Sequence, residues 1–326
     1  MSIQKTPADI AAVCNRQLER FMPVLTPMGV AFGFIFPMIF IRLRPFIPLL
    51  FSVMTLSGSL KLQVKDLGGA VANPFPLFIF FLSAHVVIPA LAFFICTLLF
   101  KGDPDIISGY VLLFSAPTAV SGFIWISIYR GDTALGLTII FLDTILTPAV
   151  VPGTASVLLG TQVALDVTGV AISLILMVVI PTIIGVAVNE ISRGKTPALI
   201  SPYLNPFAKL CIVLVIAANA SAVAPRVHLA DPKVWGIAGL CVFFAALSYT
   251  CSKLTCILCR LSPEKRITLF FATGLRNLSA ATTIAIEYFP DAAALPALLG
   301  IVFQQSLAAI MGKLFNRKIS PATAQP

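Results

Sequence analysis

Apolar residues along the chain fall into runs of roughly 20, divided by short polar loops, which is the length a helix needs to cross a bilayer. Ten such runs are predicted: 21–41, 46–60, 75–99, 106–129, 133–159, 167–188, 204–223, 234–258, 267–288 and 293–315. The second is short, with Pro45 and Pro48 at its start, and Pro117, Pro148, Pro152, Pro181 and Pro296 fall inside or near the ends of others. A proline inside a membrane helix frees a carbonyl, which only neighbouring protein or cavity water can satisfy. Residues 1–20 hold no apolar core of signal-peptide length. Ile3, Ile10, Val13, Gln17 and Leu18 instead allow a cytoplasmic amphipathic helix lying at the interface. Residues 319–326 are expected to be a disordered tail.

Short pieces of the pattern recur at an offset close to 160 residues. Gly131-Asp132-Thr133-Ala134-Leu135 opens the fifth run much as Pro290-Asp291-Ala292-Ala293-Ala294-Leu295 opens the tenth. Arg44-Pro45-Phe46 likewise echoes Asn205-Pro206-Phe207. The expectation is two five-helix repeats, 21–160 and 161–318. Because five is odd, the second must run with inverted topology, as in many secondary transporters.

Two runs are interrupted at mid-depth. In the ninth, Phe270-Phe271-Ala272-Thr273-Gly274-Leu275-Arg276-Asn277-Leu278-Ser279-Ala280 carries an arginine. A guanidinium keeps its proton, and at the bilayer centre it costs at least ~2.5–3.5 kcal/mol, so it must face protein or a water-filled cavity. In the fourth, Ser115-Ala116-Pro117-Thr118-Ala119-Val120-Ser121-Gly122 combines a proline, a glycine and hydroxyls. Two broken helices crossing near the midplane would aim helix ends and free backbone groups at one spot. Arg276 and the positive N-terminal ends then favour an anion. Thr118, Ser121, Arg276, Asn277 and Ser279 are the candidate substrate-binding residues. The plainer reading is a pair of kinked helices tied together by a structural arginine.

Asp143 is the second charge that lipid would not tolerate. Gly136, Ile140, Asp143 and Thr147 share one helical face, which is expected to meet the crossing and set Asp143 against Arg276. Such an acid is either half of a structural pair or a proton carrier. His85, Asn219 and Gln304 are candidate cavity-lining residues, with interhelical hydrogen bonding as the plainer alternative. Lys209 and Glu287, near run ends, read as snorkelling side chains.

Composition agrees with this pattern. The 326 residues are 58% hydrophobic and 11% charged, with mean hydropathy +0.99, as in a polytopic membrane protein. The net charge of +9 does not point to nucleic acid, because the basic residues are scattered singly among loops. With both termini cytoplasmic, the inner loops hold 15 Lys and Arg and the outer ones 5, namely Arg42, Arg44, Lys101, Arg226 and Lys233. That asymmetry sets the orientation. Cys256 and Cys259 have C-x-x-C spacing without a companion pair, and His85 and His228 lie on different elements, so no metal site or cofactor is expected. There is no P-loop and no G-x-G-x-x-G, and a membrane enzyme or sensor is disfavoured.

The residues Pro45-Phe46-Ile47-Pro48, the Ser115–Gly131 crossing with Tyr129-Arg130-Gly131-Asp132, Leu146-Thr147-Pro148 and Gly274-Leu275-Arg276-Asn277 resemble the bile acid:sodium symporter family. The resemblance runs over nearly the whole length. It implies ten helices, panel and core domains, a crossing of unwound fourth and ninth helices, and alternating-access transport of organic anions, usually with sodium. It also implies sodium ligands that this chain lacks. Ser-Asn after the helix-four proline is replaced by Gly122-Phe123. The helix-five hydroxyls fall at Gly136 and Ile140, and the helix-nine acid and glutamine at Ala272 and Arg276. The arsenite-exporting relatives carry a cysteine in the helix-four crossing, where Ser115 and Ala116 stand here.

The expected function is therefore a secondary transporter in the cell membrane for a small organic anion of the carboxylate class, independent of sodium, with Arg276 in the ion's place and protons as a candidate co-substrate. The alternatives are a cation–proton antiporter and a sodium-coupled anion symporter that uses backbone ligands. Oligomeric state is left open.

Overall fold

The computed structural model describes residues 7–60, 62–64, 73–160, 166–227 and 230–316. Within these, regular secondary structure is helical apart from one isolated bridge. The helices are α1 (Pro7–Ile35), α2 (Pro37–Ser59), α3 (Phe75–Leu99), α4 (Pro104–Ser115), α5 (Gly122–Ile128), α6 (Thr133–Leu159), α7 (Val167–Ser192), α8 (Lys195–Val223), α9 (Pro232–Leu258), α10 (Pro263–Gly274), α11 (Leu278–Tyr288) and α12 (Leu295–Asn316).

Local chemistry sets the boundaries. Asp103, Asp132, Asp166 and Asp231 each precede a helix and accept a backbone N–H of its first turn, at 3.4, 2.9, 2.8 and 2.8 Å. A carboxylate there satisfies an orphan donor and faces the positive end of the helix dipole. Gly160, at φ 56°, stops α6, and Arg193 and Gly194 in left-handed conformation turn α7 into α8.

Seven helices are long and apolar enough to cross a membrane: α2, α3, α6, α7, α8, α9 and the stretch Asp291–Phe315. Their outward faces carry Phe78, Phe94, Leu98, Ile183 and Leu258, while Asp143, Arg276, His85 and a set of threonines are buried. Apolar outside and polar inside is the distribution of a chain solvated by lipid.

α1, α2, α7 and α8 pack on one another, and α3, α4, α6 and α9 to α12 form a second group around the interrupted helices. Gly33 lets α1 lie directly on α8: a Cβ there would sit 2.3 Å from the Ala217 carbonyl. The segment expected to end at residue 20 continues without interruption into the first span, as the single helix Pro7–Ile35. Lys209, read from sequence as snorkelling, lies well inside α8 and donates to the carbonyl and side-chain oxygen of Asn15, at 3.2 and 2.7 Å. The tail at 319–326, His228 and the loop lysines at 61, 65 and 318 lie outside the described residues.

Candidate functional site

The site is built where α4 gives way to α5 and α10 to α11. Pro117 brings no N–H and pushes Ala116 into extended conformation (φ −56°, ψ 151°), which ends α4. Leu275 is extended as well (φ −106°, ψ 110°), which ends α10. The two short extended segments pair across the gap in an antiparallel bridge between Thr118 and Arg276. Ala119 N–H donates to Leu275 O at 2.9 Å, and Asn277 N–H to Pro117 O at 2.8 Å. Thr118 Oγ1 adds donations to Ala272 O and Leu275 O, at 2.7 and 3.2 Å. Backbone polar groups exposed by breaking two helices inside a membrane are thus satisfied largely by each other.

Arg276 closes the remainder. It is 2% exposed, donates through one terminal nitrogen to Ala116 O at 3.1 Å, and through the other to Ala84 O. Both carbonyls are free for local reasons. The break after Ala116 removes the amide that would have bonded it. Ala84 lies in a π-helical turn of α3, Leu82–Val87, where Ile88 N–H bonds Ser83 O. The amide next in that register belongs to Pro89, which has no N–H. A proline and a wide turn in α3 therefore leave one carbonyl for the guanidinium to take.

Asp143, from α6, is fully buried. Its Oδ2 accepts the Thr118 N–H at 2.7 Å, and its Oδ1 lies 2.8 Å from His85 Nε2. That contact is close, but neither ring nitrogen nor Oδ1 has an aligned hydrogen-bond partner. The His85 ring is held by stacking on Phe81 (5.7 Å) and by the edge of Phe80 (5.9 Å). The partner of Asp143 is thus His85. Asp143 and Arg276 face each other as charges across the crossing without direct ion-pair contact, because the guanidinium is turned to the two carbonyls. Gly136, Ile140, Asp143 and Thr147 do share the buried face of α6.

A cavity of about 420 Å³ opens beside the crossing, and Thr118, Ser121, Arg276, Asn277, Ser279 and Gln304 all reach it. Asn277 also caps α11 through Ala280 N–H at 3.1 Å. Gln305 bonds Trp125 Nε1 at 3.1 Å and Ser121 Oγ at 3.4 Å. His85 and Asn219 do not line this cavity. Asn219 instead donates to Thr283 Oγ1 at 3.2 Å, the interhelical role. Glu287 likewise accepts from Ser173 Oγ at 3.1 Å. Sequence reasoning passed over Thr26, Thr144 and Thr182 and read Lys209 only as snorkelling, whereas the four line the cavity from α1, α6, α7 and α8. Lys209 alone carried a usable signal, a charge within an apolar run.

The sequence model of the Sodium Bile acid symporter family matches residues 47–227. The chain belongs to that family. It is 37% identical to the uncharacterized protein YbaS of Bacillus subtilis (strain 168), over 91% of this chain and 97% of that one. It is 24% identical to the probable sodium/metabolite cotransporter BASS1, chloroplastic, of Arabidopsis thaliana, over 90% and 73% of the two chains. It is 19% identical to the uncharacterized sodium-dependent transporter YocS of Bacillus subtilis (strain 168), over 90% and 89%. The family is one of membrane transporters, not enzymes, and the apolar helices and buried charges agree with that. At the positions where the resemblance implies sodium ligands, Gly122, Phe123, Gly136, Ile140 and Ala272 offer no side-chain oxygen, and Arg276 brings a cation.

Proposed function

We infer that the protein is a secondary transporter that carries a small organic anion, a carboxylate, by alternating access without sodium. The observation that carries this is the seat of Arg276. Its guanidinium occupies carbonyl oxygens of both a broken and a π-turned helix, the kind of hard oxygen ligand a sodium ion would otherwise seek. A tethered cation in that position supplies the positive charge that a co-transported ion would bring. The anion is bound in the 420 Å³ cavity, where Thr118, Ser121, Asn277 and Ser279 offer polar groups beside Arg276.

The remaining architecture is read as ten spans in two inverted repeats, with both termini cytoplasmic in a plasma membrane. The spacing of the broken helices supports the repeat: α4 and α10 each begin with proline and run 12 residues, from 104 to 115 and from 263 to 274, both ends 159 apart. A sodium-coupled reading draws on the names of the relatives, two of which are called sodium cotransporter or sodium-dependent. It would need backbone carbonyls to hold the ion.

Thermal stabilisation of the detergent-purified protein by a panel of carboxylates, in sodium and in potassium, separates the two readings, because a ligand that binds only the folded state raises the melting temperature. The expected result is stabilisation by one carboxylate, equal in both salts, and lost in Arg276→Gln and in the cavity-filling Ser279→Trp. Stabilisation that appears only in sodium overturns the sodium-independent reading.

A further inference from the structure

A cation bonded to protein carbonyls stays with the protein through every turn of the cycle, so coupling to an ion requires a second, mobile charge. The described residues hold one arrangement suited to it. His85 is 7% exposed and Asp143 fully buried, and their facing atoms lie 2.8 Å apart. Nδ1 and Nε2 of His85 and Oδ1 of Asp143 are the polar atoms there without an aligned partner. The other carboxylate oxygen holds the Thr118 N–H at 2.7 Å, and Thr118 lines the cavity. His85 sits in the same π turn whose Ala84 carbonyl takes Arg276, and such turns gather at functional sites.

With a neutral imidazole, Arg276 and Asp143 sum to zero. With an imidazolium, the sum is one positive charge, which a single monocarboxylate neutralises in a low-dielectric interior. We propose that the His85–Asp143 pair is a proton-binding site, and that one proton taken up there readies the crossing for one monovalent carboxylate. This rests on the anion-carrier reading and names its coupling ion. The proton passes from water to the imidazole nitrogen facing Asp143, and returns to water when the anion leaves, so the pair moves without net charge. Protonation draws Oδ1 toward the imidazolium, weakens the hold of Oδ2 on Thr118 N–H, and so carries the change to the wall of the cavity.

The groups around His85 leave this role to Asp143. The elements packed on its turn are α4, α6 and α9, with the rest of α3. α6 contributes Asp143. α9 contributes Tyr249 and Cys256, both buried, while its Lys253 engages the Phe315 ring. Tyr110 of α4 donates to Ile237 O, and the second break contributes Arg276 through Ala84 O.

The chain has two histidines, so [13C-ε1]histidine NMR of the purified His228→Gln protein observes His85 alone, and the signal disappears in His85→Gln. The expected resonance moves in a single transition between pH 5 and 8.5, and does not move over that range in Asp143→Asn. A pH-stat titration should count one more proton in His228→Gln than in the double variant with His85→Gln. Asp143→Glu, which keeps the carboxylate, retains the transition and guards against a misfolded Asn variant. A resonance that never moves, or one that moves identically in Asp143→Asn, overturns the proton site. The titration needs no substrate, so its failure is separate from that of the anion reading, which falls if no carboxylate stabilises the protein. Carboxylate stabilisation that is flat from pH 5 to 8.5, while the resonance moves, overturns the coupling.

Discussion

The two breaks face each other and solve the same problem by opposite means. The first, at residues 116–121, is poor in charge. Its Thr118 amide is held by a carboxylate brought from α6, and its Ala116 carbonyl by a guanidinium from the other break. The second, at 275–277, brings its own charge and exports it, since Arg276 reaches carbonyls on α4 and α3 and binds nothing in its own segment through its side chain. One break is a receiver held by neighbours, and the other is a fastener. Damage to the second should therefore spread to three helices, while damage to the first should stay local.

The largest effect follows for Arg276→Leu. It leaves the carbonyls of Ala116 and Ala84 without a donor and Asp143 without a nearby positive charge, and should cost about 3–5 kcal/mol, as for one partner removed from a buried ionic cluster. Unfolding in detergent measures it. A loss below about 1 kcal/mol would mean that the crossing holds without its fastener. Asp143→Ala strips the receiver instead. The buried Thr118 N–H then loses a charged acceptor, and about 2–3 kcal/mol is expected.

These contrasts were only half legible in the sequence. The position of both breaks could be read from Pro117, Gly122, Gly274 and an arginine in an apolar run, because each of those residues acts on the backbone beside it. The charge partners could not. Which carbonyl Arg276 takes depends on a π turn in α3, set by Pro89 far away in sequence, and helical periodicity carries no trace of it. Asp143 lies on the buried face of α6 that its spacing predicts, but His85, 2.8 Å away, comes from α3, and helical spacing does not relate one helix to another. Lys209 shows the same limit, since only packing of α1 on α8 puts Asn15 within its reach.

Glycines sharpen the comparison further. At the second break, a Cβ on Gly274 would sit 2.1 Å from the Tyr249 ring, and that ring is buried. At the first, a Cβ on Gly122 would meet nothing closer than 3.7 Å. Gly274→Ala should destabilise by about 1–3 kcal/mol through overpacking, with recovery in the Tyr249→Ala background. Gly122→Ala should leave the melting temperature nearly unchanged. Equal effects at the two sites would erase the distinction between a tight break and an open one.

The smallest effect concerns the helices that leave the crossing. Asn277 precedes α11 and its side chain accepts the Ala280 N–H at 3.1 Å, whereas Ser121 precedes α5 without a side-chain cap bond. Both residues line the cavity, so a stability readout must be kept apart from a ligand readout. In the absence of carboxylate, Asn277→Ala should lower stability by about 1 kcal/mol, the usual loss of an N-cap, and Ser121→Ala by no more than about 0.5 kcal/mol. With carboxylate present, both should lose part of the ligand-induced rise in melting temperature, because each presents a polar group to the same space. A Ser121→Ala loss equal to that of Asn277→Ala before ligand is added would show that the first break, too, depends on its own side chains. The receiver would then be as self-reliant as the fastener.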